Sequence, residues 1–217
     1  MNPRDRIVVI GAAGTGRETL DIIESINSAG VHSFHIEGVL DDSPDPTHLR
    51  RLDERGIPFL GTVDDWLAQN QEPRLFSIGI ANTRVRALIA SKLLRAGHIP
   101  ATLVHPRAAL GSKVDVGEGS TIYSGVEITT NVVIGRFNII NSHATIGHDV
   151  MLQDFVSVNP AASVSGEVRL ASHVLVGGGS TVLQGLSVGE GSIVGARALV
   201  TKSVPGGVVV KGVPGRW

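Results

Sequence analysis

The stretch ATIGHDVMLQ, residues 144–153, sets an imidazole beside a carboxylate in a run of otherwise aliphatic and small residues. An imidazole titrates near neutral pH and can take a proton from an attacking amine or hydroxyl, while an adjacent carboxylate orients the ring and stabilises the imidazolium. His148 is therefore the candidate general base and Asp149 its partner. A dipeptide alone carries little specificity, and the same two residues would also suit a solvated corner. The chain has no cysteine, which removes Cys-based metal and nucleophile sites, and no serine stands in a context that suggests a covalent acyl intermediate. Direct attack by the acceptor within a ternary complex is the expected course.

The second place with chemical capacity is VVIGAAGTGRETL, where Gly11, Gly14 and Gly16 separate an apolar run from a helical one. Backbone amides in such a turn, together with the helix N-terminus, can meet phosphate oxygens. The plainer reading is a tight strand-to-helix turn and nothing more. A net charge of −1 with no basic cluster excludes a global field for nucleic acid or an anionic membrane. The opening apolar run is too short to span a bilayer and lacks a signal-peptide layout, so a cytoplasmic protein is expected.

The elements that must carry these residues change character near residue 100. Before it, RIVVIGA, FHIEGVLDD and RLFSIGIA read as strands, and GRETLDIIESINSAG, TVDDWLAQN and NTRVRALIASKLLRAGH as helices, the last capped by Asn82. Alternating strands and helices predict a small parallel α/β unit. From Val104 the period is six: seventeen aliphatic residues, through Ile122, Ile146, Leu152 and Val176 to Val200, fall in phase without a gap. Chance would do this less than roughly once in ten million, given about one Ile, Leu or Val in three. Glycine often follows the aliphatic residue directly, as at Gly135, Gly147 and Gly177, where it is expected to relieve tight corners. Six-residue repeats of this kind predict a parallel β-helix whose inward side chains stack coil on coil. His148, two places after the inward Ile146, should then face outward near a corner. Expected boundaries are 1–100 and 101–217, the second closing with a C-terminal strand.

This pattern resembles the left-handed β-helix of the hexapeptide-repeat proteins, with three hexads per triangular coil and nearly six coils. NIINSHATIGHDVMLQDFVSVNPAASVSG resembles the catalytic segment of the PglD- and NeuD-like bacterial sugar acyltransferases, which also carry a small Rossmann-like unit with a G-A-x-G-x-G turn ahead of the prism. The likeness covers nearly the whole chain. It implies an N-acetyltransferase using acetyl-CoA as co-substrate on a nucleotide-linked amino-deoxy sugar, without a metal, working as a homotrimer with sites in the clefts between prisms. It implies His148 as base, Asp149 as its partner, Asn141 as a substrate contact and Gly166 as a backbone donor to the thioester carbonyl. Ser157 stands where relatives often have a second His. With Gly166, Ser157, His173 and Gly178 are candidates for the acyl donor, as are Lys211 and Arg216 in VVKGVPGRW for its phosphates. In the front unit the resemblance places Gly11, Gly14, Thr15 and Gly16 near the diphosphate and Asp41 and Asp42 near the base, with Asn82 and Arg84 as further substrate contacts. Relatives often have His where this chain has Thr15.

Three other readings use the same architecture: an O-acetyltransferase of a sialic-acid-like sugar, a γ-class carbonic anhydrase, and a non-catalytic trimeric scaffold. The metal reading rests on His143, five residues before His148. The third ligand would stand thirty-six residues before His143, where the chain has Arg107, a cation that opposes a divalent metal.

Overall fold

The computed structural model describes residues 5–217; residues 1–4, with which the first expected domain opens, lie outside the described residues. The chain forms two compact units, the first ending at Pro106 and the second running Arg107–Trp217.

In the first unit, β1 (Arg6–Ile10), β2 (His35–Leu40), β3 (Leu75–Ile78) and β4 (Ile99–Pro100) form a parallel sheet in the order β2-β1-β3-β4. Ile7, Val8, Val9 and Ile10 of the central β1 are at most 1% exposed, as an unbroken aliphatic strand covered on both faces should be. Helix α1 (Gly14–Ser28) buries Leu20, Ile23 and Ile26, one stripe at helical spacing. Helix α2 (Pro46–Asp53) is absent from the pattern reading above. Its signal is nonetheless in the sequence: Asp45 accepts from Thr47 N at 2.7 Å and Pro46 opens the first turn. Helix α3 (Val63–Gln69) starts at the capping Thr62 and helix α4 (Thr83–Arg95) at Asn82.

The second unit is a left-handed parallel β-helix of about six turns. Each coil visits three faces, and the register advances by eighteen residues: Ile146 pairs with Ile128 on one side and Val164 on the other. The faces and the edges between them repeat in a fixed order. From the strand Val132–Ile134 on face one, the chain turns edge one to Ile139–Ile140 on face two, edge two to Thr145–Ile146 on face three, and edge three to Met151–Leu152 on face one again. Inward aliphatic residues from Ile122 to Val200 are at most 2% exposed, whereas Leu110, at the first coil, is 39% exposed. The inward column at edge one also holds Asn138. Its amide nitrogen donates to the carbonyls of Gly135 and Gln153, and its oxygen accepts from Val156 N, so a buried polar group is fully engaged in tying coils together.

The glycines that follow the inward residues have another reason than the one expected. None of Gly135, Gly147 and Gly177 has a positive φ. A Cβ on Gly147 would lie 2.5 Å from Gly166 N in the next coil, so these residues are small because successive coils nearly touch there. The left-handed backbone falls two residues later, at Asn131 (φ 57°), Phe137 (55°), His143 (58°), Asp149 (59°) and Phe155 (60°).

Candidate active site

Edge three carries the His-Asp pair. Glu167 N donates to the carbonyl of His148 at 2.7 Å and Asp149 N to that of Thr130 at 3.1 Å, so the pair is pinned between the coils before and after it. Both side chains are about half exposed. His148 Nδ1 lies 2.7 Å from Asp149 Oδ2, and the second oxygen of that carboxylate accepts from Asn131 Nδ2 at 3.2 Å. These two hydrogen bonds, the one to His148 foremost, hold the Asp149 carboxyl below the usual carboxylate range. With Nδ1 turned to Asp149, the opposite edge of the ring faces the next coil. A Cβ on Gly166 would fall 2.5 Å from His148 Cε1 and Nε2. The ring therefore occupies space that only a glycine leaves, and the N–H of Gly166 has no acceptor among the described residues. Asn131 escaped the sequence reading, yet it is the residue eighteen places before Asp149, one register step away.

The remaining prism candidates lie elsewhere. Asn141 and Gly178 stand on edge two, and Asn141 Oδ1 accepts from Ser142 N at 2.8 Å. His173 is on edge one, at the end of a column of parallel rings: Phe137, Phe155 and His173 follow one another at 5.3 Å. Its Nδ1 is buried and has no hydrogen-bond partner among the described residues. Ser157, on face two, is 2% exposed. Lys211 and Arg216 exchange backbone hydrogen bonds at 2.8 and 2.9 Å across the GVPG turn, which brings two exposed cations together. His143 is on edge two, a full face away from His148, so the spacing that suggested two metal ligands does not make them converge in one chain. Among the described residues, no group of three His, Asp or Glu is placed to hold a metal ion.

In the front unit Gly11 takes φ 109°, and a Cβ on Gly16 would lie 1.7 Å from Gly11 O, so the turn closes on its own helix start. Gly79, at the end of β3, is equally confined: its Cβ would meet Gly16 Cα at 2.4 Å. Gly14 has open space. Helix α1 starts here with no side-chain cap and no acid in its first turn, which leaves amide donors and the positive end of the helix dipole for an anion. Thr15 sits in this first turn, where its carbonyl accepts from Thr19 Oγ1. Asp41 closes the turn from β2, accepting from Ala12 N at 2.8 Å and Ser43 N at 2.9 Å; Asp42 accepts from Val63 N at the start of α3. Asn82 uses its oxygen to cap α4, and Arg84 is exposed on the first turn of that helix. Arg86, 1% exposed, donates to Ile80 O at 2.7 Å and braces the loop after β3; the sequence reading gave it no part.

The PglD N-terminal domain family matches residues 6–93. Perosamine N-acetyltransferase from Caulobacter crescentus, solved as a histidine-to-asparagine mutant with CoA and GDP-perosamine, superposes with a TM-score of 0.85 at 27% identity, covering 97% of this chain and 95% of that one. Along nearly its whole length the chain is similar to this acetyltransferase, and over residues 6–93 to the PglD N-terminal domain family. A second structure, the acetyltransferase domain of PglB from Neisseria gonorrhoeae with acetyl coenzyme A, gives a TM-score of 0.84 at 27% identity over 98% of both chains. GDP-perosamine N-acetyltransferase from Escherichia coli O157:H7 is 32% identical over 126 residues, 58% of this chain. The match spans about half of that curated relative, 54% of its length.

Proposed function

We propose that the protein transfers the acetyl group of acetyl-CoA to the amino group of a nucleotide-linked amino-deoxy sugar. The observation that carries this reading is the His148–Asp149 pair, joined at 2.7 Å, with the ring turned towards Gly166 and its unused N–H. Relatives solved with CoA and GDP-perosamine, and with acetyl coenzyme A, supply the substrate class, and GDP-perosamine is the first acceptor to try.

In this reading the sugar amine attacks the thioester carbonyl and a C–N bond forms. His148 Nε2 takes the ammonium proton as the bond forms, and Asp149 stabilises the resulting imidazolium. Gly166 N–H meets the oxyanion. Collapse breaks the C–S bond, and the proton on His148 goes to the departing CoA thiolate. Asn141 contacts the sugar, Gly178 the donor, and Lys211 and Arg216 its phosphates. In the front unit Gly11, Gly14, Thr15 and Gly16 meet the diphosphate through backbone amides and the α1 N-terminus. Asp41 shapes that turn, and Asp42 stands nearer the base.

The working form is a homotrimer, and the layout of the prism supports it. Asn141 and Gly178 are on edge two and His148 on edge three, so they can serve one reaction only where copies meet. The compartment is the cytoplasm, which suits a chain without cysteine; no helix among the described residues is long and apolar enough to cross a membrane.

The test is release of CoA thiol from acetyl-CoA with GDP-, UDP- and dTDP-amino sugars, each product checked by mass for one added acetyl group. Turnover with one of them at a rate well above the others is expected. No thiol release with any, in protein that shows no acetyl-CoA binding by calorimetry, would leave the prism as a scaffold.

A further inference from the structure

Asn131 and Asp149 hold the same corner position of edge three in successive coils, both with left-handed backbone, at φ 57° and 59°. The carboxylate of Asp149 is held at both oxygens, Oδ2 by His148 Nδ1 at 2.7 Å and Oδ1 by Asn131 Nδ2 at 3.2 Å. A carboxylate with one oxygen free can rotate about its last bond at little cost, and a ring that depends on it rotates too. One with both oxygens engaged from different coils presents a fixed acceptor to the imidazole, which fixes the tautomer and leaves Nε2 as the basic atom. Glu167, at the same corner one coil later, does not compete, since its Oε1 accepts from Gln184 Nε2 at 3.2 Å. The other charged groups around Asp149 are Lys113, two coils before it on this edge, and Arg169 on face one, whose Nη1 lies 3.9 Å from Met151 Sδ.

We propose that Asn131 is a positioning residue for the acetyl transfer, holding the Asp149 carboxylate so that His148 keeps its Nδ1 on Asp149 and its Nε2 towards the reacting amine. The inference rests on the reading of His148 as base. A purely structural account exists for the same residue: asparagine tolerates left-handed backbone better than most, and the corner needs such a residue. The two accounts part at glycine, which suits that backbone and has no donor.

Asn131→Gly, Asn131→Asp and His148→Ala are compared in the full chain with acetyl-CoA and the best nucleotide amino sugar. Asn131→Gly is expected to lower kcat roughly tenfold or more with little change in KM, because the base is mis-aimed while the binding groups stay in place. The carboxyl of Asp149, followed by carbon NMR in the resting protein, is expected to titrate at higher pH than in the parent. Asn131→Asp, which keeps the side-chain shape, should move both in the same direction, and it decides the matter if the glycine variant folds poorly. Full kcat and an unmoved Asp149 titration in these variants, with His148→Ala inactive, would make Asn131 a corner residue only. Full kcat in His148→Ala would overturn the base reading and this role with it, a result read from that variant alone.

Discussion

Edge three of the prism and the glycine turn of the front unit are both built from small residues around one carboxylate, yet the contacts that build them come from different distances in the chain. On edge three every partner of the pair is one register step away: Asn131 below Asp149, Gly166 above His148. In the turn, Asp41 reaches Ala12 from β2, and Gly79 closes on Gly16 from the end of β3. The first site is fixed by a lattice that stands without it, and the second is itself part of how its unit folds. Substitutions on the edge should therefore cost rate and leave stability, whereas substitutions in the turn should cost stability first.

The largest effect expected is from His148→Ala. Loss of a general base costs typically 10²–10⁴ in rate, so kcat should fall by about that factor with KM little changed. The side chain is about half exposed and its backbone hydrogen bonds survive, so the melting temperature should stay within about 1–2 °C of the parent. A fall in stability equal to the loss of rate would erase the contrast between the two sites.

Gly16→Ala makes the opposite case. The new methyl would lie 1.7 Å from Gly11 O, and neither backbone segment can give way, because Gly79 presses on the same helix start. Overpacking of this kind costs on the order of 3 kcal/mol, and the front unit should melt early while the prism stays folded. Gly14→Ala, two residues away with nothing within 4 Å, should be neutral or slightly stabilising, as alanine in a helix is. Calorimetric scans of the two variants check the pair; equal behaviour would mean that the turn is not closed on its helix as described.

Gly166→Ala tests the edge by the same device. Its methyl meets a side chain, not a backbone, and the exposed His148 ring can swing away. The expected cost is therefore small in stability but roughly 10–100-fold in kcat, the consequence of mis-aiming a base by about 1 Å. An alanine variant with normal kcat would show that the ring position in the resting protein is not the one used.

The same contrast explains what could be read from the sequence. The repeat is exact enough that Ile146 and Leu152, by phase alone, put His148 outward on a corner, whereas Gly166 enters only through the resemblance of its segment. The eighteen-residue period of the coil puts Asn131 under Asp149, but nothing in the residue type at Asn131 marks it as a partner of the pair. The six-residue phase does not by itself assign edges: Asn141, His148 and His173 stand on three different edges, which takes the eighteen-residue turn of three faces to separate. In the front unit the turn was legible as a glycine pattern, but Gly79 and Arg86 were not, since the contacts that give them meaning come from strands and helices far along the chain. The glycines after Ile134, Ile146 and Val176 were read as turn residues because glycine has two uses, freedom of φ and lack of volume. Only the approach of the next coil tells which one applies.

The smallest effect expected is a difference in acid sensitivity. His98 is 3% exposed, packs its ring 4.8 Å from that of Trp66, and accepts from Arg74 N through Nδ1 at 3.2 Å. Burial first, and then the charge of Arg74, hold its pKa below the ordinary imidazole value of 6.5. A folded-state pKa below the unfolded one means that the unfolded chain binds the proton more readily. The stabilising contribution is thus complete above about pH 6.5 and is lost as pH falls through the lower, folded value. Asp149 is shifted in the same direction but as a carboxyl, so its window begins below pH 3.8 and it sits exposed on the edge. Below about pH 6.5 the protonation of His98 should therefore weaken the front unit. Urea unfolding followed by tryptophan fluorescence, with Trp217 replaced by Phe so that only Trp66 reports, in the parent and in His98→Gln, reads this directly. The parent midpoint should drop with falling pH and the variant's should not, whatever its absolute value. Parallel slopes in the two proteins would assign the acid response to another group.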